Sequence, residues 1–275
     1  MEKHGLPLFI VGARARDIAM KLMKGDEPKR RTEDLDIAIA IENWQMFEDI
    51  CQTLQENHFK RYRDTQKFFY KGENDDIDFE VDIVPFGGVA VDEKIEWPPE
   101  GNPVMSVRCF DDVMKEAVTV TIDDVVKIKM APLCGQFLIK LDTWNDRHAK
   151  TDKDAEDMLF ILKYYFEIQL DQNNTPPDVV NVEDESLDTT IWGVQWLAYD
   201  ISKLLTAEHL KFFTELISRE IGLEEKSDLI FHFMKYYGNK DLDDISTYYE
   251  SCRRIWSEFE RIFSNELKER CKNEN

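Results

Sequence analysis

The stretch Thr32-Glu33-Asp34-Leu35-Asp36-Ile37-Ala38-Ile39-Ala40-Ile41 decides the fold. From Asp34 on, Leu35, Ile37, Ile39 and Ile41 fall to one side, and Asp34, Asp36, Ala38 and Ala40 to the other. That is the period of a β-strand. The two carboxylates therefore share a face. Their α-carbons stand roughly 6.5 to 7 Å apart at the usual rise per residue, within reach of one or two metal ions. Ala38 and Ala40 continue that face and leave room for packing or binding. The apolar side anchors the strand, so the acids sit at a fixed end of a buried element, as a metal site requires.

Upstream, an apolar run over 6–11 ends at Gly12, and A-R-A-R-D-I-A-M-K-L-M-K follows with Ile18, Leu22 and Met23 at helical spacing until Gly25. The pattern predicts strand, tight turn, helix, with a polar, basic loop over 26–31 leading back into the acidic strand. Downstream, Asn43 is a candidate N-cap for a helix to about Asn57. Two strand-like segments, 59–70 and 77–84, flank a G-E-N-D-D turn and predict an antiparallel pair. In the second, Ile77, Phe79, Val81 and Ile83 alternate with Asp78, Glu80 and Asp82. Smaller hairpins are expected over 105–129, then helices from Pro132 to about His148 and from Asp152 to about Ile168. Residues 171–188 are acidic, contain Pro176 and Pro177 and lack periodicity, which marks a linker. Beyond them the pattern is helical throughout, as in a bundle. The expected division is 1–170, a linker at 171–188, and a helical bundle at 189–275.

The 275 residues carry 56 acidic against 35 basic side chains, a formal net charge of −21. This charge opposes unaided binding to a nucleic-acid backbone, and no DNA partner is expected. Five scattered cysteines without a Cys-x-x-Cys pair read as reduced thiols in the cytoplasm. No apolar run suits a signal peptide or a membrane span.

Taken in order, a strand, the Gly12-Ala13 turn, a helix, the Asp34/Asp36 strand and a strand with a third acid predict a phosphate-and-metal site. Small residues at the turn let backbone N–H groups and the helix N-terminus approach a triphosphate, and three carboxylates hold Mg²⁺ (or Mn²⁺) beside it. Asp78, Glu80 and Asp82 share a face, and the V-D-I-V-P context favours Asp82. On the helix after Pro132, Lys140, Trp144 and Arg147 share a face, where two cations could meet phosphates and a ring could face a base.

The motifs F-I-V-G-A-R-A-R-D, R-R-T-E-D-L-D-I, F-E-V-D-I-V-P-F-G, F-L-I-K-L-D-T-W-N-D-R and K-D-A-E-D-M-L resemble those of the AbiEii/AbiGii toxin family of nucleotidyltransferases, in the polymerase β-like superfamily. The resemblance covers about residues 8–166. It implies an α+β fold with a mixed sheet, in which a polymerase β-like nucleotidyltransferase domain precedes the helical bundle. It also implies Asp34 and Asp36 as the metal-binding pair, Asp82 as the third carboxylate, and Gly12 and Ala13 as the phosphate-facing turn. Lys140 matches the lysine of the third motif, and Asp154 or Asp157 the acid of the fourth. The family turn usually reads Gly-Gly or Gly-Ser. Ala13 lacks the hydroxyl, and Arg14 or Arg16 could compensate. The expected activity is transfer of NMP from an NTP to an acceptor, with tRNA ends among those used by relatives, in a toxin-antitoxin or phage-defence setting with a cognate antitoxin. Two other readings stand beside it: a small cationic acceptor, which the acidity favours, and a degenerate nucleotide-binding module, which Ala13 favours.

Plainer roles are open to the same residues. Lys140 and Arg147 can pair with nearby acids, Asp154 or Asp157 can stabilise the first turn of its helix, and the C-terminal aromatics at helical spacings are core by default.

Overall fold

The computed structural model describes residues 6–24, 34–63, 65–71, 78–122, 124–184, 188–237 and 245–273. The basic loop at 26–31, Thr32, Glu33 and the G-E-N-D-D turn at 72–76 lie outside them. The contacts divide the chain into two units, Met1–Gln136 and Phe137–Asn275.

In the first unit the apolar run becomes β1 (Leu8–Val11), which turns directly into α1 (Gly12–Lys24). The turn is compressed into Gly12, whose φ of +70° is left-handed and open mainly to glycine. The alternating stretch becomes β2 (Asp34–Ile41). Asn43 caps α2 (Trp44–Glu56) by accepting from the Met46 N–H at 3.0 Å, which satisfies one of the orphan donors of the first turn. The next segment is two strands, β3 (Phe59–Arg61) and β4 (Lys67–Tyr70), followed by β5 (Phe79–Gly87). β6 (Lys94–Glu96) and β7 (Val104–Ser106) form a separate two-stranded sheet. A short α3 (Phe110–Lys115) then leads to β8 (Val118–Ile122) and β9 (Val126–Met130).

The large sheet has the order β3-β4-β5-β2-β1-β9-β8. It is mixed: β2 pairs with β5 and β1 with β9 in parallel, and the other neighbours are antiparallel. Strand β5 runs through Pro85 although it lies inside the sheet. The Ile83 N–H points to Gln66, on the β4 side. Two residues on, Pro85 faces the same way where β4 has ended, so its missing N–H costs no ladder bond. The room beside Ala38 and Ala40 is taken by their cross-strand partners Phe9 and Phe86, which pack edge-on with Phe110, ring centroids 5.6–6.2 Å apart. This aromatic trio plugs one end of the acidic face.

The second unit is helical. Helix α4 (Leu133–Arg147) starts at the unit boundary and is followed by α5 (Lys153–Asp171). Then come α6 (Thr189–Leu204), α7 (Ala207–Gly222), α8 (Asp228–Tyr237) and α9 (Ile245–Asn273), with Asp188 and Thr206 as side-chain caps of α6 and α7. Helix α5 packs on α6 and α8, and α9 packs on α6, α7 and α8. Trp196, Phe213, Trp256 and Phe259 fill this core. The described part of the 171–188 segment is tied to α6, since Asn181 accepts from the Trp192 indole at 2.9 Å and donates to Gln195 at 3.0 Å. Among the described residues no helix is long and apolar enough to cross a membrane.

Candidate active site

Register builds the site. In the parallel β2/β5 ladder Asp36 stands opposite Asp82 and Asp34 opposite Glu80. Residues opposite one another project from the same face, so four carboxylates form two rows on one side of the sheet. The antiparallel β1/β2 ladder sets Val11 opposite Asp36, so the chain enters α1 immediately beside that row. A Cβ on Gly12 would overlap the Asp36 carboxylate, falling 2.7 Å from its Cγ. The first strand-helix turn is thus shaped around Asp36. Asp78, the third acid of its alternating set, is exposed and precedes β5.

The β4/β5 ladder adds a residue that sequence reasoning missed. Lys67 stands opposite Asp82. Its ammonium pairs with Glu80 and lies 3.7 Å from Asp82 Oδ1. Counting outward from the hairpin would have found this partner, but the register of β4 could not be fixed from the sequence.

Asp82 is more buried than Glu80, its side chain 19% exposed against 30%. Its Oδ1 is buried and accepts no hydrogen bond. Burial pushes its carboxyl above the usual carboxylate range. Lys67 works against that shift and the charge of Asp34 adds to it. A buried carboxylate oxygen without a donor, set opposite a second carboxylate, fits a hard divalent cation such as Mg²⁺ or Mn²⁺ in kind. As the side chains stand, no three His, Cys, Asp or Glu residues among the described ones are gathered closely enough to hold an ion. Asp34, Asp36 and Asp82 share a face without closing on one point.

Around the turn, Ala13 and Arg14 are half-buried in the first turn of α1. Arg16 is buried, and its guanidinium is held by Asp17 through Nε at 3.1 Å and Nη2 at 2.8 Å.

The remaining expected residues form their own cluster in the second unit. Asp154, fully buried, accepts a two-pronged bond from Arg147, both contacts 2.8 Å, and lies 3.4 Å from the Lys140 ammonium. Lys140 also pairs with Asp157 at 2.7 Å. These four side chains join α4 to α5. Trp144 does not offer its ring to a base, because it is fully buried, stacks on His148 at 4.4 Å and donates its indole N–H to His232 Nδ1 at 3.0 Å. Helical spacing identified the shared face but not what covers it.

No protein-family model matches this chain, and no curated protein matches it significantly.

Proposed function

We propose that this chain is a nucleotidyltransferase with a polymerase β-like domain. On this reading it transfers NMP from an NTP to an acceptor hydroxyl or phosphate and releases pyrophosphate. The observation that carries the reading is the in-register pair Asp36 and Asp82, with the buried, undonated Oδ1 of Asp82, beside the Gly12 turn into α1.

Asp34, Asp36 and Asp82 would hold Mg²⁺ or Mn²⁺, and such an ion would offset the charge that develops on the transferring phosphoryl group. Backbone N–H groups of Gly12, Ala13 and Arg14 would meet the triphosphate, since the orphan donors of a helix start favour anions. The acceptor oxygen attacks the α-phosphorus as the bond to pyrophosphate breaks. Asp82, or an adjacent carboxylate, would help activate the acceptor oxygen by taking its proton.

The resemblance of the motifs supports RNA, tRNA ends included, as acceptor and a toxin role opposed by an antitoxin. The net charge of −21 instead favours a small cationic acceptor. Purified protein incubated with α-labelled NTPs, Mg²⁺ and total RNA should label an acceptor, with pyrophosphate formed in step. Equal labelling by wild type and Asp36→Ala refutes the site. Labelling of a small amine with RNA untouched selects the second acceptor class.

A further inference from the structure

Nothing in the sequence motifs assigns a role to Lys67, yet its ammonium is ion-paired with two of these carboxylates, Glu80 and Asp82. Strand β4 begins at Lys67, opposite Asp82, so the side chain rises from the carboxylate face itself. Its ammonium pairs with Glu80, while its 3.7 Å approach to Asp82 Oδ1 is an ion pair too long for a hydrogen bond. Lys67 therefore has a firm anchor on the outer row and a loose contact on the inner one.

We propose that Lys67 is the resident counter-cation of the carboxylate site: anchored on Glu80, it neutralises Asp82 when no divalent ion is bound, and competes with that ion for Asp82. The inference rests on the nucleotidyltransferase reading of the site and deepens it. Glu80 and Asp82 share the Lys67 ammonium, so the charge of the two is only half offset there, which favours a divalent cation. Without any cation the rows of acids would repel each other across the β2/β5 ladder. A flexible four-carbon stem lets the ammonium withdraw from Asp82 without leaving Glu80. The exchange moves no proton and breaks no covalent bond.

Two consequences separate this role from contact with phosphate. The ammonium opposes metal binding, and it supports the fold only while metal is absent. Mn²⁺ binding, read by electron paramagnetic resonance and calorimetry without nucleotide, tests the first. Lys67→Met should bind Mn²⁺ at least about tenfold more tightly than wild type, since a unit charge about 4 Å from a divalent ion is worth more than tenfold even at the dielectric of water. Unliganded Lys67→Met should melt below wild type, and saturating Mn²⁺ should close the gap. Lys67→Met with Glu80→Gln removes both partners, leaves no unpaired carboxylate at the anchor, and should also bind Mn²⁺ more tightly than wild type. Wild-type Mn²⁺ affinity in both variants overturns the proposal and leaves the site reading intact. Absence of Mn²⁺ binding in wild type and every variant overturns the site reading itself.

Discussion

Gly12 and Asp36 occupy the same space: the glycine has no side chain where the carboxylate lies, and a Cβ placed there would fall 2.7 Å from Asp36 Cγ. Gly12 opens α1 and Asp36 lies in β2, and the β1/β2 ladder brings them together by pairing Val11 with Asp36.

Gly12→Ala should therefore fail twice. A non-glycine residue at a φ of +70° costs about 1 kcal/mol, and displacing Asp36 adds to it. The melting temperature should fall by several degrees. Transfer per folded molecule should drop by about 10- to 100-fold, because small misplacements at a reacting centre are costly. Normal activity in a destabilised variant would separate Gly12 from the site.

Asp36→Asn and Asp82→Asn should lower transfer by about 10² to 10⁴-fold, the range for loss of an acid-base or charge-stabilising group. The stability of Asp82→Asn should move the other way. Because the folded-state pKa of Asp82 is raised, by burial first, its stabilising contribution is complete below the unfolded pKa and is lost as pH rises through the folded one. At pH 7.5 unliganded Asp82→Asn should melt above wild type, and the advantage should vanish as the pH falls below the carboxylate range. Thermal melts from pH 3 to 8 measure both arms.

The strand bearing Asp34 and Asp36 was legible because isoleucine and alanine alternate without interruption, and Gly12 because an apolar run stops there. The N-cap at Asn43 was legible because a short acceptor precedes an amphipathic stretch. The pairing of β1 with β9 was not, since nothing local records which distant strand lies alongside in parallel. Residues 59–70 also hid a turn, having no glycine or proline to announce it, and with it the register that sets Lys67 opposite Asp82. Asp154 was singled out in the sequence, but which cations it pairs with was not legible. A fully buried aspartate is tolerated only through Arg147 and Lys140, and those pairs form across a helix-helix corner that spacing alone does not specify.

Asp154→Ala should cost about 1–2 kcal/mol, since it removes the buried acceptor of the two-pronged bond from half-exposed Arg147, while Lys140 keeps Asp157. Lys140→Met should cost less, because Asp154 keeps its two-pronged bond from Arg147. Denaturant unfolding gives both values. If Lys140→Met abolishes NTP binding while remaining stable, the ammonium serves the nucleotide and its pairing in the α4–α5 corner is secondary.

His232 should make the helical unit sensitive to mild acid. Its Nδ1 accepts the Trp144 indole N–H, which requires an unprotonated nitrogen. Burial lowers its pKa, with His148 and Lys235 also opposing protonation and Asp152 and Asp228 favouring it. With a depressed folded-state pKa, the stabilisation is present above the usual histidine pKa and is lost as pH falls through the folded one. His232→Asn keeps an acceptor that does not titrate. It should flatten the change in melting temperature between pH 7.5 and 5.5, and an unchanged slope would assign that slope to other groups.

Strand β5 takes its place from β2, residue against residue along eight paired positions from Asp34↔Glu80 to Ile41↔Gly87. The chain between the two strands can therefore lengthen, shorten or change its shape without moving Asp36 from Asp82. On the proposed transfer reading, a change of acceptor has a natural outlet in that excursion, whose Lys67 reaches back to the acids.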